Sequence, residues 1–339
     1  MSERRREPQR DLGATTMGKK VLALVADLRA LFASLGPGEK HQLLDMCYEI
    51  ERDLEPEVDA TPEGWIASLR LSRDLREAAR LLSPQQQRIL VDLYYQAQEG
   101  RKRTANQLRQ ALQEPNAWLT FMLSFVQRQE KLIAGALDIA TNQQAVSVWA
   151  KSITGIGPVL AAGLAAYIDI TRTPTVSALW SLAGQNPTAV WGKGEKRPWN
   201  AQLKVLCWKI GDSFCKFHNH PKCTYGHVYA ARKALEVERN EAGRFQEQAE
   251  KTLANKAIKD KDTRSVYGQG KLPAGRLELR ARRYAVKLFL SHYWEVAHFE
   301  HYRTLPPLPF ILAKDPTVHR HYVPPAGYEA IFKEFRRPE

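Results

Sequence analysis

"SITGIGPVLAAGLAAYID", residues 152–169, places Gly155 and Gly157 in a turn between two apolar stretches. Glycines one residue apart let the backbone turn tightly and present consecutive N–H groups. Pro158 suits the first turn of a helix, where its missing N–H costs nothing. Val159, Leu160, Ala162, Leu164, Ala165 and Ile168 can then bury one face of that helix. Three readings compete: a dinucleotide fingerprint, a helix-hairpin-helix clamp on nucleic-acid phosphate, and an ordinary tight turn. The preceding "QQAVSVWAKSI", residues 143–153, is helical in pattern, so the turn joins helix to helix. With no β-rich run before it, and Leu160 in the place of the third glycine, the fingerprint reading fails. No Gly-Lys-Ser/Thr follows, which excludes a phosphate loop of the nucleotide-hydrolase type. The spacing therefore predicts a helix-hairpin-helix element in which the backbone at Gly155, Ile156 and Gly157 holds a phosphate oxygen. A purely structural turn stays open. On the clamp reading, replacing both glycines by valine acts on binding more than on folding.

Charge supports a nucleic-acid partner. The chain of 339 residues carries a net +13, and residues 190–289 hold 22 Lys/Arg against 10 Asp/Glu. The other 239 residues hold 28 against 27. A one-sided basic block is the electrostatic footprint of a nucleic-acid binder, although a solvated basic face gives the same count. The four cysteines, Cys47, Cys207, Cys215 and Cys223, are too few for a disulfide framework in a chain this long. The start, "MSERRREPQRDLG", has no apolar core, and no apolar run reaches the roughly 18 residues of a membrane span. The expectation is a soluble cytoplasmic protein associated with the nucleoid, without a cofactor and without a membrane partner.

The chain reads as mostly α. Residues 1–16 form a charged tail and residues 17–83 a helical N-terminal region, broken at Gly36-Pro37-Gly38 and Pro56. Thr61-Pro62-Glu63 opens a helix running through residues 65–82. Ser83 with Pro84 starts another, and Pro115 ends it. Together with residues 116–141 this predicts a long antiparallel helical hairpin or coiled coil over 84–142, able to pair with a second copy. Residues 143–304 would form the helix-hairpin-helix domain, with helices over 199–217, about 222–256 and 276–302. A Pro-rich tail, 305–339, would wrap on the surface.

These residues resemble a known family. Gly155-Ile156-Gly157-Pro158, Ala161-Ala162, Asp169-Ile170 and Ala183-Gly184-Gln185-Asn186-Pro187 follow the motif order in the C-terminal domain of transposases of the insertion sequence 110 (116, 902) family. Trp199-Asn200-Ala201-Gln202-Leu203-Lys204 echoes that family's next helix start, and the upstream hairpin is similar to its coiled-coil region. The resemblance implies double-stranded DNA as partner, or a structured RNA, and a role in transposition or recombination. Two departures stand out. No ribonuclease-H-like domain with four metal-holding carboxylates is visible. Trp191 of Trp191-Gly192-Lys193 stands where the family has its nucleophilic serine, and an indole cannot attack phosphorus. Ser177, Ser181 and Thr188 read as helix and loop polar groups. The expectation leans toward a DNA binder without intact catalytic sites, with a divergent recombinase as the alternative.

Further residues fit phosphate contact. Lys193, Lys196 and Arg197 lie beside Trp191 and Trp199, and Lys204 follows. Arg276, Arg280, Arg283 and Lys287, at i, i+4, i+7 and i+11, share one helix face. Cys215-x2-His218 and Cys223-x3-His227 have spacings that could ligate zinc, although the helical period of Cys207 and Cys215 favours core packing. His319-Arg320-His321 has no visible partner.

Overall fold

Several helix starts in this chain are set by side-chain caps. Ser83 Oγ accepts from Gln86 N while Gln86 Oε1 accepts from Ser83 N, a reciprocal capping box ahead of Pro84. Asn116, Thr175, Asn200 and Asp260 each accept a backbone N–H three residues on. The computed structural model describes residues 64, 66, 68–111, 116–307 and 322–332. The expected tail 1–16, the helices of 17–55, Cys47 and His319-Arg320-His321 lie outside the described residues. The chain divides into two compact units, Met1–Ser68 and Leu69–Glu339, and the architecture below is that of the second.

Among the described residues it is all helical: eleven α-helices and one 3-10 turn, with no strand. Helix α1 is Arg73–Arg80, α2 is Pro84–Ala111 and α3 is Ala117–Thr141. Then come α4 Ala145–Ser152, α5 Pro158–Tyr167, the 3-10 turn Ile170–Arg172 and α6 Val176–Leu182. The rest are α7 Ala201–Lys216, α8 Thr224–Glu241, α9 Gln246–Asn255, α10 Lys261–Gly268 and α11 Ala274–Tyr302. None is long and apolar enough to cross a membrane.

The mostly-α expectation holds, and α2 and α3 pair as the expected hairpin and both lie against α5. Helix α11 packs along α8 and also meets α7, α4 and α6, while α1 lies against α3 and α9 pairs with α10. The main core joins Trp149, Leu164, Leu179, Leu206, Phe214, Tyr225 and Phe289. The outer part of the hairpin leaves Trp118, Leu119, Met122 and Phe125 exposed along one side of α3.

Three boundaries differ from expectation. The helix expected through 65–82 is interrupted before Arg73, because Ser72 caps a new start by accepting from Leu75 N. The long helix expected over 222–256 is two helices. Gly243 takes φ +71°, and the Arg244 N–H returns to the Arg239 carbonyl, closing α8 before α9 begins. Last, residues 322–332 do not merely wrap the surface. Phe332 is fully buried beside Phe299, Tyr322 Oη donates to Glu295 Oε2 at 2.8 Å, and Trp149 Nε1 donates to the Ala326 carbonyl at 2.9 Å.

Two stability predictions follow from this packing. A Cβ on Gly226 would lie 2.8 Å from both Cys223 Sγ and His218 Cα, and 3.1 Å from the Phe214 carbonyl oxygen. Backbone cannot yield as a side-chain tip can, so Gly226→Ala should lose about 2–3 kcal/mol, seen as a thermal midpoint lowered by roughly 3–6 °C. The second concerns Glu295. Burial pushes its carboxyl up to about 7, against the lowering effect of the Tyr322 hydrogen bond. A raised carboxyl stabilises the fold fully below the ordinary value near 4.5, and that stability is lost as pH rises through 7. Nearby His292, pushed down to about 4 by burial and bonded to Tyr225 Oη, acts in the opposite direction but is common to wild type and variant. Urea unfolding should therefore show wild type losing about 2–3 kcal/mol relative to Glu295→Gln between about pH 5 and pH 8. A pH-independent difference would refute it.

Candidate nucleic-acid interface

The hairpin turn is built from its two isoleucines inward. Ile153 and Ile156 are buried, and the Ile156 N–H bonds the Ile153 carbonyl at 2.9 Å, tightening the exit from α4. Gly155 lies between them at φ +100°, where an L side chain is strained. Its carbonyl accepts from Ser213 Oγ on α7 at 2.6 Å, and a Cβ there would meet that same oxygen at 3.1 Å. Cys223 Sγ adds a contact to the Thr154 carbonyl at 3.4 Å. Gly155 is thus a packing glycine. Gly157 differs. It is exposed, has ordinary backbone angles as the N-cap of α5, and a Cβ on it would meet nothing within 4 Å. The N–H groups of Gly157, Val159 and Leu160 find no acceptor among the described residues. The N–H groups of Thr154 and Gly155 are likewise without an acceptor among the described residues. The turn therefore offers donors on both sides of Ile156, whose own N–H is bonded and whose side chain, expected to contribute, is turned to the core.

The second constellation is the loop between α6 and α7. Gly184, at φ +64°, ends α6: its N–H bonds the Ser181 carbonyl and the Gln185 N–H reaches back to the Trp180 carbonyl at 2.8 Å. Asn200 N–H bonds the Leu182 carbonyl at 2.8 Å while its side chain caps α7, so both loop ends are tied to the same place. Within the loop, Trp191 Nε1 donates to the Glu195 carbonyl at 2.7 Å and the Gly192 N–H to Glu195 Oε2 at 2.9 Å.

Cations sit on the tryptophan faces. Arg197 lies 5.0 Å from the Trp191 ring centre, Lys204 Nζ 4.0 Å from Trp199 and Lys287 Nζ 3.8 Å from Trp180. The indole of Trp180 also donates to the Lys287 carbonyl, and Trp191 meets Trp199 edge-on at 6.2 Å. A Cβ on Gly184 would come within 2.8 Å of Lys204 Cδ and 3.1 Å of Trp199 Cγ, so glycine there admits the stacked pair. Partial burial, then the charges of Arg283 and Arg197, hold the Lys204 ammonium below its usual range. Lys287 is lowered by burial and then by Arg283. Four like charges thus crowd together, and none of Arg197, Lys204, Arg283 and Lys287 pairs with a carboxylate among the described residues. Lys193 and Lys196 lie exposed in the same loop.

The expected stripe on α11 is divided. Arg283 and Lys287 join this patch, whereas Arg280 turns to Glu236 at 2.6 Å and stacks over Phe245 at 4.5 Å. Burial would raise the Glu236 carboxyl, but Arg280 and then Arg232 outweigh it and hold it low. Arg276 is exposed near Tyr267 Oη. The Cys/His segment also goes to local contacts: His218 Nδ1 lies 2.7 Å from the Cys215 carbonyl, and no group of three metal-ligating side chains gathers among the described residues. Ser177 is exposed in the first turn of α6, and Thr188 bonds Asn186. Trp180 is the residue the sequence reading missed, since its partner Lys287 lies 107 residues away.

Comparison with protein-family models, curated proteins and solved structures finds no match for this chain. The resemblance to insertion sequence 110 transposases rests on its motif residues alone.

The two glycines should separate on substitution. Gly155→Ala should lose about 1–2 kcal/mol through its positive φ and the Ser213 contact, whereas Gly157→Ala should stay within about 0.5 kcal/mol of wild type in chemical denaturation. The double valine replacement would therefore unfold the turn before it reports on binding. Equal destabilisation by the two single alanine variants would contradict the assignment.

Proposed function

We propose that this chain is a DNA-binding protein, nucleoid-associated and related in role to transposition or recombination, which grips phosphates without reading sequence. The observation that carries the reading is the cluster of Arg197, Lys204, Arg283 and Lys287, drawn from a loop and two helices and left without carboxylate partners. Like charges held together repel, and a polyanion relieves that repulsion while releasing its own counterions. The open α5 N-terminus at Gly157 adds backbone donors and the positive end of a helix dipole. The motif order shared with insertion sequence 110 transposases points to the same class of partner. On this reading the chain holds DNA, and strand cleavage belongs to a partner. The exposed Trp118, Leu119, Met122 and Phe125 support a further part of it, pairing of the hairpins of two copies.

Fluorescence anisotropy with labelled duplex across a salt series tests the proposal. Four neutralised phosphates give a log–log slope near −3.6, about a hundredfold loss of affinity between about 50 and 200 mM salt. Lys204→Gln with Lys287→Gln should make the slope shallower by about 2. A flat salt response, or an unchanged slope in the double variant, would remove the electrostatic basis of the reading.

A further inference from the structure

We propose that the tryptophan–cation patch takes an unpaired nucleotide, with a base against the Trp191 ring and the flanking phosphates on Arg197, Lys204, Arg283 and Lys287. This rests on the nucleic-acid reading above and names which form of nucleic acid the patch selects. A duplex offers phosphates and groove edges to a protein, while its base faces are stacked inside. Trp180 and Trp199 hold lysines in place for phosphate contact, but the exposed Trp191 offers ring surface that a duplex, with its base faces stacked inside, cannot use. An exposed indole beside cations is the arrangement that holds single-stranded chains, because every base has a face to stack.

The three rings are not equivalent. Trp180 and Trp199 are partly buried, and each carries a lysine ammonium within 4.0 Å of its ring centre. Trp191 is 41% exposed, and its neighbour Val190 is 89% exposed. Yet Trp191 is not a loose side chain. Its Nε1 is held by the Glu195 carbonyl, and Glu195 in turn accepts from Gly192 N. Asn200 and Gly184 anchor the loop ends on α6 and α7. A ring that is fixed in direction and open to solvent loses little freedom when a base settles on it. Arg197, already stacked on Trp191, stays within reach of the adjoining phosphate.

The test compares a labelled thymidine homopolymer of about twenty nucleotides with a mixed-sequence duplex of similar length, at one low salt concentration and through a salt series. The homopolymer should bind more tightly than the duplex. Trp191→Ala should weaken homopolymer binding about tenfold to a hundredfold, weaken duplex binding less than about twofold, and leave the salt slope unchanged, because a stacked base releases no counterions. Trp191→Phe keeps a stacking face but loses the hydrogen bond to Glu195, so it should retain most of the homopolymer affinity. Thermal midpoints of both variants check folding. Duplex binding that equals or exceeds homopolymer binding would overturn the proposal while leaving the DNA-binding reading intact. So would a Trp191→Phe loss as large as that of alanine, which would make the residue a loop anchor only. Absence of binding to either probe at low salt would overturn both.

Discussion

The Ser213 hydroxyl bonded to the Gly155 carbonyl is the contact on which the arrangement of this unit turns. It requires a residue without Cβ at positive φ, and it seats the hairpin turn on the C-terminal half of α7. From there α7 runs across α5, where Gly163 gives room to Leu206. Its other end, at Asn200, is returned by a backbone hydrogen bond to the end of α6. A helix fixed at both ends fixes what it carries. Phe214 reaches the aromatic core with Tyr225 and Phe289, and Lys204 reaches Trp199. The polar features of the surface therefore depend on a close backbone approach in the interior.

Positive charge is used in two distinct ways. Arg280 and Arg232 surround the buried Glu236, and Arg282 contacts Asp212 and Glu278. These cations are neutralised where they stand and contribute little field outside. Arg197, Lys204 and Lys287 are instead held by indole faces. A ring quadrupole positions a cation without cancelling its charge, so the group is ordered and still attracts an anion. Net charge alone does not separate the two populations; their partners do.

Local features of the fold could be read from residues, and long-range ones could not. Ser83-Pro84 and Asn116 mark the starts of α2 and α3 because a cap acts within three residues of itself. Gly155 and Gly157 were legible as a turn between helices, but their difference was not. Only the arrival of Ser213, 58 residues on, makes one a packing residue and leaves the other open. In the same way the α11 arginines share one helical period, so periodicity treats them alike. Their fates diverge because Glu236 approaches Arg280 from α8, while Trp180 on α6 meets Lys287. The loop 189–200 was more legible, because Trp191, Arg197 and Trp199 are neighbours in sequence as well as in space.

The geometry of α7 also bears on how one nucleic acid could meet both candidate contacts. Lys204 and Ser213 are nine residues apart, two and a half helical turns, so they project from opposite faces about 13 Å apart along the axis. The face carrying Leu206, Ile210 and Ser213 is turned to the hairpin and the core, and the Lys204 face to the tryptophan loop. A straight, rigid duplex touching phosphates at one of these places is not thereby aligned with the other. Two separate contacts suit a partner whose two parts differ, such as a duplex with an adjoining unpaired strand. On the proposed reading the Trp191 loop takes the unpaired portion, and α7 sets its distance from the turn at Gly157.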